Sequence, residues 1–367
     1  MGPVTHIFAA INRRARPRFF RAGLLIPVLG ILVVVMLGMG VVAIPSHQTP
    51  VPSLRATKPS LSANMSSSVR QGGQAPRGPV TVAQGTGGPV PLGVYTGPGS
   101  PSAARAFANT SGAGTPFAFD YLDDTSWQTI SDPVWFMQRW AGSGFQMIWA
   151  IPMLPRSGGS MAAGAAGKYN RFFAALAHTL VANGQGSAIL VPGWDPSVAG
   201  MAWSVSSSAG ASQYISFFQQ IVTTMRGVRG ARFHFAWDAS GQGALIPEAT
   251  YPGNAVVDVI ATDAFDRGPG TVADRWAALS QSSFGLDWFA SFAAKQHKPL
   301  MLAKWGLAPK VASGGGDDPV FVRDLLSWAS QEHVVAAVAW DYGSWALAAG
   351  NFPLAAAELS RAAAKAS

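Results

Sequence analysis

Five tryptophans close short apolar runs: Trp149, Trp194, Trp237, Trp305 and Trp340. Three of them are followed at once by an aspartate, giving Asp195, Asp238 and Asp341. The apolar face of an indole stacks on the apolar face of a sugar ring, while carboxylates accept hydrogen bonds from its hydroxyls. Brought to one rim, these rings and acids read as a carbohydrate cleft. Hydrolysis with retention asks for more, namely two carboxylates about 5 to 5.5 Å apart, one acid/base and one nucleophile. The three glutamates, Glu248, Glu332 and Glu358, sit in a loop, before the last strand and in the last helix, so none supplies that pair. Asp263 and Asp266, at the end of the sixth apolar run, are close enough in sequence to form an acid pair.

Other chemistries have less support. The six histidines are scattered without metal-ligand spacing, so no metal and no cofactor is expected. No nucleophile-elbow sequence is present for Ser/His/Asp catalysis. The run Gly314-Gly315-Gly316-Asp317-Asp318 reads as a loop ending in a helix cap rather than a phosphate or calcium loop. The absence of cysteine excludes disulfides and thiolate metal sites.

Eight candidate strands must position these residues: 92–96, 116–122, 145–151, 188–194, 232–237, 256–264, 299–305 and 335–342. Helices are expected over 168–182, 211–225, 287–296 and 353–365, with further starts at Asp132-Pro133 and Asp318-Pro319, each an N-cap followed by proline. Eight strands with helical returns predict an α/β fold, a (β/α)8 TIM barrel, whose functional residues lie at the C-terminal strand ends. An open doubly wound sheet is the alternative, but the Gly-rich stretch after the first strand lacks the phosphate-loop spacing.

Residues 1–92 hold nine basic and no acidic residues, so the basic balance belongs to the N-terminal arm. The remainder is nearly neutral, which argues against nucleic acid as a partner. A basic cytoplasmic segment, 1–21, precedes an uncharged apolar run, 22–44, long enough to cross a bilayer. The basic flank places the N-terminus in the cytoplasm and the rest outside, periplasmic or extracellular, on a single-pass signal anchor in the cytoplasmic membrane. Secretion after cleavage near Val41-Val42-Ala43 is the alternative. Residues 45–90, rich in Pro, Gly and Ser, read as a disordered linker, which leaves 91–367 as the barrel.

Several runs carry a resemblance. They are Gly193-Trp194-Asp195-Pro196-Ser197 with Trp203, Phe235-Ala236-Trp237-Asp238, Tyr251-Pro252-Gly253-Asn254 with 257–266, Gly285-Leu286-Asp287-Trp288, and Lys298-Pro299-Leu300 leading to Lys304-Trp305-Gly306. In this order the domain resembles glycoside hydrolase family 26, the retaining β-mannanase and β-glucanase barrels. The resemblance implies a barrel whose partner is a β-linked oligo- or polysaccharide. It also implies a glutamate after strand four, a glutamate on strand seven and a supporting tyrosine after strand six. Those positions read Asp195, Lys304 and Phe265. An ammonium forms no glycosyl ester, so the expectation is a carbohydrate-binding pseudoenzyme degenerate in retaining catalysis. The alternative is an active endo-β-1,4-glycanase, a mannanase or glucanase, with altered residues, in which Asp195 protonates the leaving oxygen and Asp238 or Asp341 replaces the nucleophile or directs water. The resemblance further implies that Asp263 and Asp266 are binding or structural acids. Asp195 and Lys304 are expected to meet as an ion pair. Trp149, Trp194, Trp203, Trp237, Asp238, Asp263, Phe265, Trp305, Trp340 and Asp341 are expected to contact substrate.

Overall fold

The computed structural model describes residues 90–112 and 114–366. The segments expected at 1–21 and 22–44, and all but the end of the linker at 45–90, lie outside the described residues. Among the described residues, no helix is long and apolar enough to cross a membrane.

Eight parallel strands close into a barrel in sequence order. They are β1 (Leu92–Tyr95), β2 (Phe117–Tyr121), β3 (Gln146–Ile151), β4 (Ile189–Pro192), β5 (His234–Asp238), β6 (Val259–Asp266), β7 (Leu300–Leu307) and β8 (Ala337–Trp340). Around them run α1 (Pro101–Ser111), α2 (Trp127–Ser131), α3 (Val134–Trp140), α4 (Met161–Ala165), α5 (Asn170–Ala182), α6 (Ser208–Arg226), α7 (Val272–Ser280), α8 (Leu286–Gln296), α9 (Pro319–Gln331) and α10 (Pro353–Ala366). The expected barrel is thus the observed one.

Strands such as LGVY, ILVP and AVAW are apolar throughout because a parallel strand wrapped by helices is covered on both faces. Alternation still sorts their side chains. Phe119, Ile148, Val191, Ala236, Ala261 and Met301 fill the barrel interior, while the neighbouring Trp149 and Trp237 pack into the layer between sheet and helices.

One irregularity decides what reaches the mouth. Thr262 on β6 opposes Leu302, but Asp263 opposes Lys304, leaving Ala303 as an extra residue in β7. A bulge of this kind interrupts the alternation, so that two successive residues share a side. Ala303 lies in the inner core, Lys304 joins the acids at its top, and Trp305 turns outward.

Asp318 caps α9 as expected, accepting from the N–H groups of Val320 and Phe321 ahead of Pro319 at the first turn. Asp132 does not cap. It ends α2, donating its N–H to the Gln128 carbonyl, and α3 begins at Val134 after Pro133. The residue before a proline is disfavoured in the helical region, which breaks the segment into two short helices at this point.

Candidate functional site

Lys304 is the centre of the mouth. Its Nζ lies 3.3 Å from Asp195 Oδ2, 2.9 Å from Asp238 Oδ2 and 3.1 Å from Asp263 Oδ2. Four elements supply the four residues. Asp238 closes β5, facing in because Trp237 faces out, and Asp263 faces in from β6. Lys304 is delivered by the β7 bulge. Asp195 follows β4 on a tight turn: Gly193 has φ +58, and a Cβ there would meet Met153 Sδ at 2.2 Å, so only glycine fits. Asp195 itself has φ +48, a conformation that aspartate tolerates better than most residues. The turn is held by its own N–H bonding to the Asp238 carbonyl at 3.0 Å and by Tyr214 donating to the Gly193 carbonyl at 3.0 Å.

Three N–H donors of one ammonium meet three carboxylates, one oxygen each. The other oxygens, Oδ1 of Asp195, Asp238 and Asp263, are buried and accept no hydrogen bond from another described residue. Burial pushes Asp263 well above the usual carboxylate range despite the opposing pull of Lys304. Burial likewise pushes Asp238 up to about 6. Lys304 is moved the other way: burial would lower it, but the three carboxylates outweigh that and hold it well above its ordinary value. The cluster therefore keeps its ammonium charged and retains a proton among its acids where free carboxylates have lost theirs.

Aromatic rings stand over this floor. Trp194 meets Tyr121 edge to face at 5.0 Å, and Tyr121 lies 6.2 Å from Trp340. Trp340 packs on Tyr95 at 4.5 Å, and Phe265 meets Trp345 at 5.5 Å. Trp194 and Trp340 are partly exposed, as a sugar-stacking surface requires.

The remaining expected contacts are placed elsewhere. Trp149, Trp237 and Trp305 are fully buried against the helical layer. Trp149 packs near Phe136, and Trp237 near Tyr251 and Phe292, because adjacent residues of a strand point to opposite faces. Trp203 is buried beneath the rim, where its indole N–H donates to the Trp194 carbonyl at 2.9 Å. Asp341 is buried and accepts from the Ala348 N–H at 2.8 Å, which fastens the loop after β8. Asp266 pairs with Arg275 rather than with Asp263. Among the described residues no group of histidines, cysteines or acids is arranged to hold a metal ion.

Sequence reasoning missed Tyr121 and Asp120. Tyr121 was legible: it shares strand parity with Phe117 and Phe119, which fill the interior. Asp120, one residue earlier, faces out and is fully buried, accepting from the N–H groups of Gly99, Tyr121 and the Trp140 indole. Burial pushes it up to about 7 against those three donors. Nothing in the local pattern marks it, since two of its three donors, Gly99 and Trp140, come from a distant loop and helix.

No protein-family model matches the chain, and no curated protein matches it. Solved structures do. The Bacillus subtilis mannanase BCman is 14% identical, with a TM-score of 0.54 over 75% of this chain and 86% of that one. The catalytic domain of a family 26 endo-β-1,4-mannanase from Bacillus sp. JAMB-750 is 14% identical, with a TM-score of 0.55 over 77% and 87%. A double mutant of a Cellulomonas fimi endo-β-1,4-mannanase is 16% identical, with a TM-score of 0.55 over 75% and 71%. At these identities the likeness is one of fold: the chain shares the closed (β/α)8 barrel of these solved structures.

Proposed function

We propose that the barrel binds a β-linked polysaccharide of mannan or glucan type without retaining hydrolysis, tethered outside the cytoplasmic membrane by residues 22–44. The carrying observation is the Lys304 ammonium bound by Asp195, Asp238 and Asp263 beneath Trp194 and Trp340. A retaining site needs a carboxylate free to attack the anomeric carbon. Here the strand-seven position holds an ammonium, and the acids around it are committed to that charge. Phe265 offers no hydroxyl where the resemblance implies a supporting tyrosine. Stacking surfaces and acceptors remain, which is what binding requires. The fold shared with mannanases makes β-mannan the first polysaccharide to test.

One observation favours an active endo-β-1,4-glycanase instead: burial keeps a proton on the Asp238 and Asp263 pair, and a general acid needs one. The two readings separate in one experiment. The full-length chain in mild detergent is offered mannan, mixed-linkage glucan, xylan and cellulose, and both retention and reducing-end release are measured. Retention without release is expected. Turnover that disappears in Lys304→Ala would overturn the binding reading. Groups that act as a unit restore function only together, so the smallest change expected to produce retaining hydrolysis is Asp195→Glu with Phe265→Tyr and Lys304→Glu. For the tether, the chain is expected to stay with membranes through a high-salt wash. A soluble protein beginning near residue 44 would establish cleavage.

A further inference from the structure

We propose that the glycan path extends beyond the mouth, across the β1–α1 loop to Trp135 on α3. This rests on reading the barrel as a glycan binder. Among the described residues the exposed large apolar side chains include two aromatics, Trp135 at 51% exposure and Tyr342 at 44%. Both lie against the same three-residue turn, Gly97-Pro98-Gly99. A Cβ at Gly97 would sit 2.6 Å from the Tyr342 ring, and one at Gly99 would sit 2.4 Å from the Trp135 ring. Both glycines have positive φ, +97 and +57. The turn is thus built so that a ring lies directly on the backbone at each end. The glycines are two positions apart, a span of at most about 7 Å, short enough for one oligosaccharide to touch both rings.

The turn is also continuous with the mouth. Tyr342 lies 5.7 Å from Tyr95, whose ring packs on Trp340. At its outer end it is clamped from both sides. Asp120 Oδ2 accepts from the Gly99 N–H at 2.8 Å, and Arg139 Nε donates to the Gly99 carbonyl at 2.9 Å while its guanidinium lies 5.8 Å from the Trp135 ring. A ring held in place before the ligand arrives loses little freedom on binding. Two separated rings on a glycine turn fall far short of the roughly 800 Å² per side of a stable protein interface. They suit a narrow chain whose sugar faces stack one at a time.

The test uses the full-length chain in mild detergent with tri- and hexasaccharides of the β-1,4-manno and β-1,4-gluco series. Trp135→Ala is expected to weaken hexasaccharide binding about tenfold and leave the trisaccharide unchanged, a difference of the size one stacking ring contributes. Trp135→Phe is expected to keep most of the affinity, and an unchanged melting temperature in both variants reports an intact fold. Equal hexasaccharide affinity in native protein and Trp135→Ala would overturn the extended path. So would a loss shared equally by tri- and hexasaccharide, or a change in self-association instead of sugar affinity. Failure of the native chain to bind any of the four oligosaccharides would overturn the glycan-binding reading itself and the path with it.

Discussion

Two buried cations organise the β6–β7 side of the barrel, and they are satisfied to different degrees. Arg275 on α7 bonds Asp266 through Nε at 2.6 Å and Asp318 through Nη2 at 2.7 Å, and it reaches the Gly270 carbonyl at 3.0 Å. Both Asp266 oxygens face the guanidinium. Asp318 divides its oxygens between Arg275 and the first turn of α9. Lys304 faces one more acid with a point charge, and three carboxylate oxygens receive no donor from the described residues. A fork of five donors closes a network that an ammonium leaves open. The closed network fastens loops to a helix start. The open one lies under aromatic rings at the C-terminal strand ends, the end at which TIM-barrel active sites are built.

The sharpest way to break the contrast is Arg275→Met. It strands two acids that have no other cation, and the expected loss is about 3–5 kcal/mol in urea unfolding of the full-length chain. Lys304→Met is expected to cost less, about 2 kcal/mol at pH 8, and less again at pH 5, because Asp238 and Asp263 already favour protonation and can neutralise themselves. A Lys304→Met penalty as large as that of Arg275→Met, or one independent of pH, would erase the distinction between the two networks.

A third, pH-borne effect belongs to Asp120. Its folded value near 7 lies above the ordinary value near 4, so the folded state holds the extra proton between those limits. Stability contributed by this group is present below about pH 4 and is lost as the pH rises toward 7. Asp120→Asn is expected to flatten that decline by more than about 1 kcal/mol in melts taken at pH 5 and pH 7.5. An unchanged slope would remove Asp120 as its source. The smallest effect is expected from Asp263→Asn, within about 1 kcal/mol of neutral and favourable in sign, because it relieves the excess of acids around Lys304 while leaving two.

How far the sequence carried the interpretation depended on the distance over which each feature is specified. The eight strands and the Asp318 cap are local patterns, and they lie where the residues indicated. Asp195 and Lys304 come together, 3.3 Å apart, because strands four and seven face a common interior once the barrel closes. The tryptophan rim was over-read. Trp237-Asp238 and Lys304-Trp305 are strand neighbours, so each pair divides between the two faces; Trp340 keeps the inward parity of Ala336 and Val338, whereas Trp194 reaches the mouth through the turn at Gly193, beyond the end of β4. Which member of the β7 pair turns inward was not legible, since that follows from a register slip against β6. Asp120 and the Arg275 network were hidden for a similar reason: their partners lie many residues away, and only the closed chain brings them together.

The slip at Ala303 leaves β7 as two segments in different phase. Below it, the strand answers to the packing of the barrel interior, where Met301 and Ala303 fit among the inner layers. Above it, the phase is reset, so that Lys304 is presented to the acids of the mouth while Trp305 and Leu307 pack into the layer beneath the helices. The slip thereby frees one position of the strand from the packing of the barrel interior. A substitution at Lys304 can therefore change the charge of the mouth while the lower segment stays as it is, so that the scaffold and the chemistry of the mouth can vary apart.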